Sequence, residues 1–507
     1  MTDQKQTHSY LPDEQPPFGK LLLYAIQQVI VMFPATVTVA LITGFQVSTT
    51  IFASGLATVC FVLITGRKIP MYYGSSFAYL GAIAGMGFAK QSGLLPPDSI
   101  SQIQFGIIFS GLISILAGLL VRWGGKDRVE KILPAQVTGP IAMIIGLSLA
   151  GNAIKDAAPA AVENTLASAA ESFISQLSGL VDPASAKNAI DSAVASLGEG
   201  VTGALESLPA QSVFTSNWVW VVSLSTLLAT LLFSRYLKGF LGQLPLLLGA
   251  AVGCAVAGLV YLIGGQEMSL FNSIPQQALD ASSWKLGDGS IFALPAFTLP
   301  RVSWAAVAAL MPIAIATIPE STAHMYQLDI YVNNEAKKRG KHYDMASLLD
   351  RNLIGDGLCD MISGAVGGPA GTNYGENIST MAITRVYSVP VMFAAGIVAM
   401  IISCFTPLIT GIYAIPTAVI GGLEIYLFGA IAAQGVAIMI DKGVSMFSAR
   451  NIAVIAVIMT FGLGVHYFFG GSINMFGLNV PAIAGAAVLG ILVNMIMGIG
   501  DRMKKEA

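Results

Sequence analysis

Glu320 and His324 stand at i and i+4 in "LMPIAIATIPESTAHMYQLDIYV", so one helix face carries both. The stretch around them is apolar enough to cross a bilayer. An isolated carboxylate at mid-membrane costs roughly 2.5–3.5 kcal/mol on insertion scales, so such a residue normally lines a polar cavity. Beside an imidazole, it can exchange a proton near neutral pH. A second acid, Glu376, follows Tyr374-Gly375 in "TNYGENISTMAITR", between two apolar stretches. Asn377 next to it can cap a helical turn or pin the segment to a neighbour. Carboxylates accept from ring N–H groups, backbone amides donate to ring carbonyls, and Phe77 or Tyr374 offers an apolar wall. The constellation suits a planar ring with adjacent N–H and C=O groups. Gln27 and Gln28 fit interhelical hydrogen bonds better than ligand contacts. Asp329, Asp356 and Asp360 read as helix-end or cavity-facing residues. Glu424, in "GGLEIYLFG", is a third intramembrane acid whose role is either gate-lining or structural.

The elements that must hold these residues are membrane spans. The chain has 507 residues, 54% hydrophobic and 11% charged. A soluble chain carries about 25% charged residues, so this one has too little polar surface to face water. A net charge of −2 supplies no basic face for nucleic acid. The four cysteines are scattered singly, with no disulfide or metal spacing. The polar, Pro-containing N-terminus is unlike a signal peptide. A helix needs roughly 20 apolar residues to cross the hydrocarbon. Candidate spans fall near 20–43, 47–65, 70–89, 102–122, 132–151, 214–234, 240–264, 303–333, 350–370, 374–387, 388–407, 412–440, 450–470 and 478–500. With the N-terminus inside, 21 of the 26 Lys and Arg lie on the inner side, as the positive-inside rule expects. Both termini are then cytoplasmic. The 152–212 stretch is outside, carries a net charge of −5, and shows helical periodicity in two runs. Two amphipathic helices packed as a hairpin are expected there.

Two spans are interrupted and echo each other. Tyr73-Gly74-Ser75-Ser76 lines up with Tyr374-Gly375-Glu376-Asn377, and "PAQVTG" at 134–139 with "PTAVIG" at 416–421. The partners are seven spans apart, so the second copy runs inverted. Interrupted apolar segments at matching places in two halves point to a transporter site. An extended piece (Tyr72–Ser75, Thr372–Gly375) should enter the membrane and lead into a short helix capped by a Ser, such as Ser76, or an Asn. Unpaired N–H groups at such a start need a partner that lipid cannot offer. The helix dipole adds partial positive charge there.

On these residues the sequence resembles the nucleobase–ascorbate transporter (nucleobase:cation symporter-2) family, in its uracil permease branch. The signature reads Glu376-Asn377-Ile378-Ser379, then Thr384-Arg385; "GSSFAYL" (74–80), the Glu320–His324 spacing and "IPTAVIGGLEIYLFGAIAAQG" are similar too. Ser379 stands where the signature has Gly, and Glu424 where a small or apolar residue is expected. The resemblance implies an all-α polytopic fold of 14 segments as two inverted sevens, with short antiparallel strands in segments 3 and 10. It implies a cytoplasmic tail (1–19), a core unit (20–124 and 300–407) and a gate unit (130–264, with the 152–212 insert, and 412–500). It implies proton-coupled uracil uptake across a bacterial cytoplasmic membrane by alternating access, often in a homodimer, with the proton as coupling ion and no cofactor or metal. Glu320 and Glu376 would accept from the pyrimidine, and the amides of Phe77 and Gly375 would meet its carbonyls. His324 would couple protonation to binding, and Tyr374 would pack on the ring. A xanthine or purine permease is the nearest alternative. An anion exchanger or channel fits poorly with two acids at depth, and no nucleophile motif or metal set suggests an enzyme.

Overall fold

The computed structural model describes residues 9–90, 93–125, 134–158, 212–275, 278, 290–475 and 478–506. The hairpin expected over 152–212 lies almost wholly outside them.

In lipid every backbone polar group must be satisfied within the protein, so apolar runs become helices. In chain order the first half holds α1 (Phe18–Thr43), α2 (Val47–Ile64), β1 (Tyr73–Ser75), a 3-10 turn (Phe77–Tyr79), α3 (Leu80–Gly85), α4 (Pro97–Gly124), α5 (Ala135–Ser148), α6 (Ala150–Ala157), α7 (Ser212–Tyr236) and α8 (Pro245–Gly264). The second half holds α9 (Trp304–Leu310), a 3-10 turn (Met311–Ile313), α10 (Ala314–Ala336), α11 (Leu349–Val366), β2 (Gly371–Asn373), α12 (Gly375–Thr384), α13 (Val389–Ser403), α14 (Thr406–Tyr413), α15 (Thr417–Asp441), α16 (Ala449–Phe468), β3 (Ser472–Met475), β4 (Leu478–Pro481) and α17 (Ala482–Glu506). Among the described residues, nine helical segments are long and apolar enough to span a membrane. The chain is a polytopic, mostly helical membrane protein.

Several expected boundaries move. The 303–333 span is broken by the turn at Met311–Ile313, where Pro312 supplies no N–H for the helical ladder. The 132–151 span divides at Leu149 into α5 and α6, and α6 runs on to Ala157. The 412–440 span begins only at Thr417, after the separate α14. The 478–500 span opens with β4, which pairs antiparallel with β3, a hairpin the hydropathy pattern hid inside an apolar run. The N-terminal segment is more than a tail from residue 9 onward. Tyr10 N–H donates to Arg385 O (2.9 Å) and Tyr387 N–H to Tyr10 O (2.7 Å), while Arg339 Nη1 donates to Glu14 (2.9 Å). Leu11 is fully buried by this docking.

Helix contacts rest on backbone close to backbone. Membrane helices gain little from hydrophobic exclusion and associate where small residues let them approach. At the α4–α11 crossing a Cβ on Gly111 would stand 2.3 Å from Gly357 O, and one on Gly357 would stand 2.2 Å from Gly111 O. The α2–α13 crossing repeats this with Gly55 and Gly396, at 2.5 and 2.7 Å. The α5–α15 crossing uses Gly139 and Gly435, at 2.8 and 2.4 Å. A methyl at any of these points meets main chain, which cannot step aside. Gly111→Ala should therefore cost about 1–3 kcal/mol, as overpacking does. The expected result is a lower melting temperature in detergent for Gly111→Ala and none for Gly429→Ala, where a Cβ meets nothing within 4 Å.

Candidate functional site

The two interrupted segments meet at the centre of the helix assembly. β1 and β2 pair antiparallel, with Tyr73 opposite Asn373, Gly74 opposite Thr372 and Ser75 opposite Gly371. A strand pair this short leaves edges that lipid cannot satisfy, and neighbouring side chains do so. Ser54 Oγ and Thr58 Oγ1 on α2 donate to Tyr73 O (2.8 and 3.1 Å), and Thr58 Oγ1 accepts from Tyr73 N–H (3.1 Å). Asp360 on α11 holds both strands: its Oδ1 accepts from the Tyr73 hydroxyl and from Gly371 N–H (2.8 Å). Ser321 on α10 donates to Asp356 and lies 3.3 Å from Thr372 Oγ1. Asn373 Nδ2 donates to Asn352 (3.0 Å). Asp356 and Asp360 thus tie the strands to α10 and α11, and neither lines the cavity described below. Asp329 accepts from Met345 and Ala346 N–H, a helix-end role.

Each strand runs into a helical start. Ser76 caps the first, accepting from Ala78 N–H (3.3 Å). Tyr374 holds the N-cap position of α12 without a side-chain cap, so neither Asn377 nor a Ser serves there. Asn377 instead donates to Gln28 on α1, to O (2.9 Å) and to Oε1 (2.8 Å). The caps correct the repeat alignment. Ser76 matches Tyr374, and Phe77 matches Gly375, three residues away from the Tyr-Gly echo of the sequence. Tyr374 is committed to the scaffold: its hydroxyl donates to Ser75 O (2.9 Å) and lies 3.1 Å from Thr36 Oγ1. Its ring lies on Gly74, where a Cβ would stand 2.3 Å from the ring.

A cavity of about 410 Å³ opens at the two helical starts. Ser76, Phe77, Tyr374, Gly375 and Glu376 line it from the broken segments, and Glu320 and His324 from α10. Every site residue expected from sequence lines it except Asn377, which works one step behind. Glu376 reaches the cavity's solvent, whereas His324 is 8% exposed. A Cβ on Gly375 would stand 2.7 Å from His324 Nε2, so a larger residue there would displace this ring. His324 Nδ1 meets no hydrogen-bond partner among the described residues. The opposite wall is α5 and α15, through Thr138, Ala142, Ile145, Leu427, Ile431 and Gln434. Gln327 also lines the cavity and was missed from sequence, although Glu320, Ala323, His324 and Gln327 form one i, i+3, i+4, i+7 stripe. Glu424 lies outside the cavity, fully buried.

A second cavity, about 390 Å³, shares Thr138, Pro319, Ala323 and Ile438 with the first and extends to Pro134, Lys442 and Asn451. A larger one, about 840 Å³, lies among α3, α9, α16 and α17 and holds none of the expected site residues.

Comparison with known proteins adds the family. The sequence model Xan_ur_permease, described as a permease family, matches residues 19–181 and 192–471. A uracil permease of Bacillus caldolyticus is 30% identical over 96% of this chain and 93% of its own length. A uracil permease of Bacillus subtilis is 29% identical over 97% and 96%. Among solved structures, the overall structure of SLC26A9 superposes with a TM-score of 0.57 at 13% identity. The match covers 94% of this chain, which spans only 65% of that one. The transmembrane domain of the cyanobacterium bicarbonate transporter BicA gives 0.54 at 12% identity, over 94% of this chain and 96% of that one. At such identity these structures share the fold alone. The chain belongs to the permease family of nucleobase–ascorbate transporters, and its sequence places it in the uracil permease branch.

Proposed function

We propose that this protein takes up uracil together with protons by alternating access. One observation carries the reading: one cavity of about 410 Å³ gathers two helical starts and two carboxylates on one side, with the α5 and α15 wall on the other. Ligand pockets of small molecules run from about 300 Å³ upward. Amides at Phe77 and Gly375, aided by the positive ends of their helices, suit the two ring carbonyls. Glu320 and Glu376 suit the ring N–H groups. His324, against Gly375 and short of a partner at Nδ1, suits a proton relay. Tyr374 lines the cavity, and its hydroxyl is held to the scaffold at Ser75 O.

The glycine crossings support two inverted sevens divided into core and gate. Counting spans, α4–α11 is the contact of span 4 with span 9, and α2–α13 that of span 2 with span 11. A shift by seven converts one into the other, and carries α5–α15, span 5 with span 12, into itself. The broken spans, α1, α2, α4, α10, α11 and α13 form the core (20–124 and 300–407), and α5–α8 and α15–α17 the gate (130–264 and 412–500). The second cavity runs from the site past Lys442, toward the side that the basic loops mark as cytoplasmic, which supports an inward-facing conformation. An anion is disfavoured, since two acids face the cavity.

Glu320→Gln and Glu376→Gln should each lower uptake of labelled uracil about ten- to a hundredfold, the weight of a charged hydrogen bond of about 1.5–3 kcal/mol. Unchanged melting temperatures would confirm that both variants fold, and normal uptake by both would remove the assignment. His324→Ala should flatten the pH dependence of uptake more than it weakens binding; a retained pH profile would leave Glu320 as the sole proton carrier. In proteoliposomes with and without a proton gradient, uracil uptake should follow the gradient and be competed by thymine more than by xanthine, hypoxanthine or adenine. Dominant competition by xanthine would transfer the site to purines.

A further inference from the structure

The wall opposite the two carboxylates is almost wholly aliphatic. Leu427, Ile431, Gln434 and Ile438 of α15 stand at i, i+4, i+7 and i+11, on one helix face, and Ala142 and Ile145 of α5 lie beside them. Two side chains bring polar atoms to this surface, Thr138 and Gln434. Each immediately precedes a glycine of the α5–α15 crossing. A Cβ on Gly139 would stand 2.8 Å from Gly435 O, and one on Gly435 would stand 2.4 Å from Gly139 O. Main chain packed on main chain therefore fixes the level at which Gln434 reaches the cavity. Thr138 is buried, whereas Gln434 is exposed. Gln327, on the facing stripe of α10, donates to the Tyr331 hydroxyl (3.2 Å), but the Gln434 carboxamide makes no hydrogen bond among the described residues. A primary amide on an aliphatic wall at membrane depth needs a partner, and in a cavity that partner is water or cargo.

The chemistry of the ring identifies the contact, and the inference rests on the uracil reading above. In that reading the amides of Phe77 and Gly375 meet both carbonyls, and Glu320 and Glu376 meet both ring N–H groups. Those four groups follow one another around the ring, so the edge left for α15 is C5–C6. That edge is apolar and suits Leu427 and Ile431. It is flanked by the C4 carbonyl and by N1–H. The N1–H proton is already given to a carboxylate. A carbonyl oxygen has two lone pairs, and a backbone amide uses one. The other is open on the C5 side, where Gln434 offers an N–H donor.

We propose that Gln434 is a specificity-determining residue: its carboxamide N–H donates to the second lone pair of the C4 carbonyl and so selects uracil over pyrimidines substituted at C5. A methyl group at C5, as in thymine, occupies the space this donor must cross.

Equilibrium binding to the purified full chain tests this apart from transport. Gln434→Met keeps the length of the side chain and removes the donor. It should weaken uracil binding roughly three- to tenfold and leave thymine binding unchanged. Gln434→Ala should weaken uracil equally and bind thymine more tightly than the wild-type chain does, because it opens space at C5. Two ligand analogues give a readout that does not depend on how a variant folds. Sulfur accepts hydrogen bonds weakly, so in the wild-type protein 4-thiouracil should lose more affinity than 2-thiouracil. Gln434→Met should abolish that difference. Equal binding of the two thiouracils by the wild-type protein would overturn the assignment. If the wild-type chain binds uracil and both Gln434 variants keep its uracil-to-thymine ratio, the assignment also fails and the uracil reading stands. If the wild-type chain binds none of these pyrimidines, both fall.

Discussion

The structure depends on satisfying the backbone of two interrupted spans in the middle of a membrane. Broken helices free amide and carbonyl groups where lipid offers no partner. Here the freed groups are spent in two ways. Those of β1 and β2 bond to each other, to Ser54 and Thr58 on α2, and to Asp360 on α11. The starts at Phe77 and Gly375 face the cavity instead. Because the strand edges are closed by protein, polarity is concentrated at one place, where a small polar ring can replace water.

That arrangement demands a rigid scaffold. Asp360 holds both Tyr73 and Gly371, and Tyr374 bridges Ser75 and Thr36 while its ring covers Gly74. The α4–α11 and α2–α13 crossings lock the helices around it by main-chain contact. The wall across the cavity meets this unit differently. Its α5 and α15 present a stripe of Thr138, Leu427, Ile431 and Gln434 across the cavity. A wall of side chains can slide past a rigid partner in a way that interlocked glycines cannot. The polytopic helical fold is shared with solved structures of very low sequence identity, so the fold alone does not set the chemistry.

The repeat shows where reading from sequence stops short. Tyr-Gly recurs in both halves, and composition invites matching Tyr73 to Tyr374. The caps match Ser76 to Tyr374 instead, because what the two halves share is a backbone path and not a side chain. Asn377 could be expected either to cap or to pin; Gln28, almost 350 positions earlier, makes it a pin. Asp356 and Asp360 gave no sign that they serve the strands, since their partners come from other spans. The β3–β4 hairpin stayed hidden because its alternation is embedded in apolar sequence.

By itself the sequence determined the membrane class, most of the spans, the two interrupted segments, and the Glu320–His324 face on one helix. All of these follow from hydropathy and from a 3.6-residue period, which neighbours along the chain carry. Only the tertiary structure decided that strands 73–75 and 371–373 pair, that Asp360 holds both, that α12 begins against His324, and that Glu424 lies buried away from the cavity. Those are contacts between distant spans, and no local pattern records which buried polar group will find which partner.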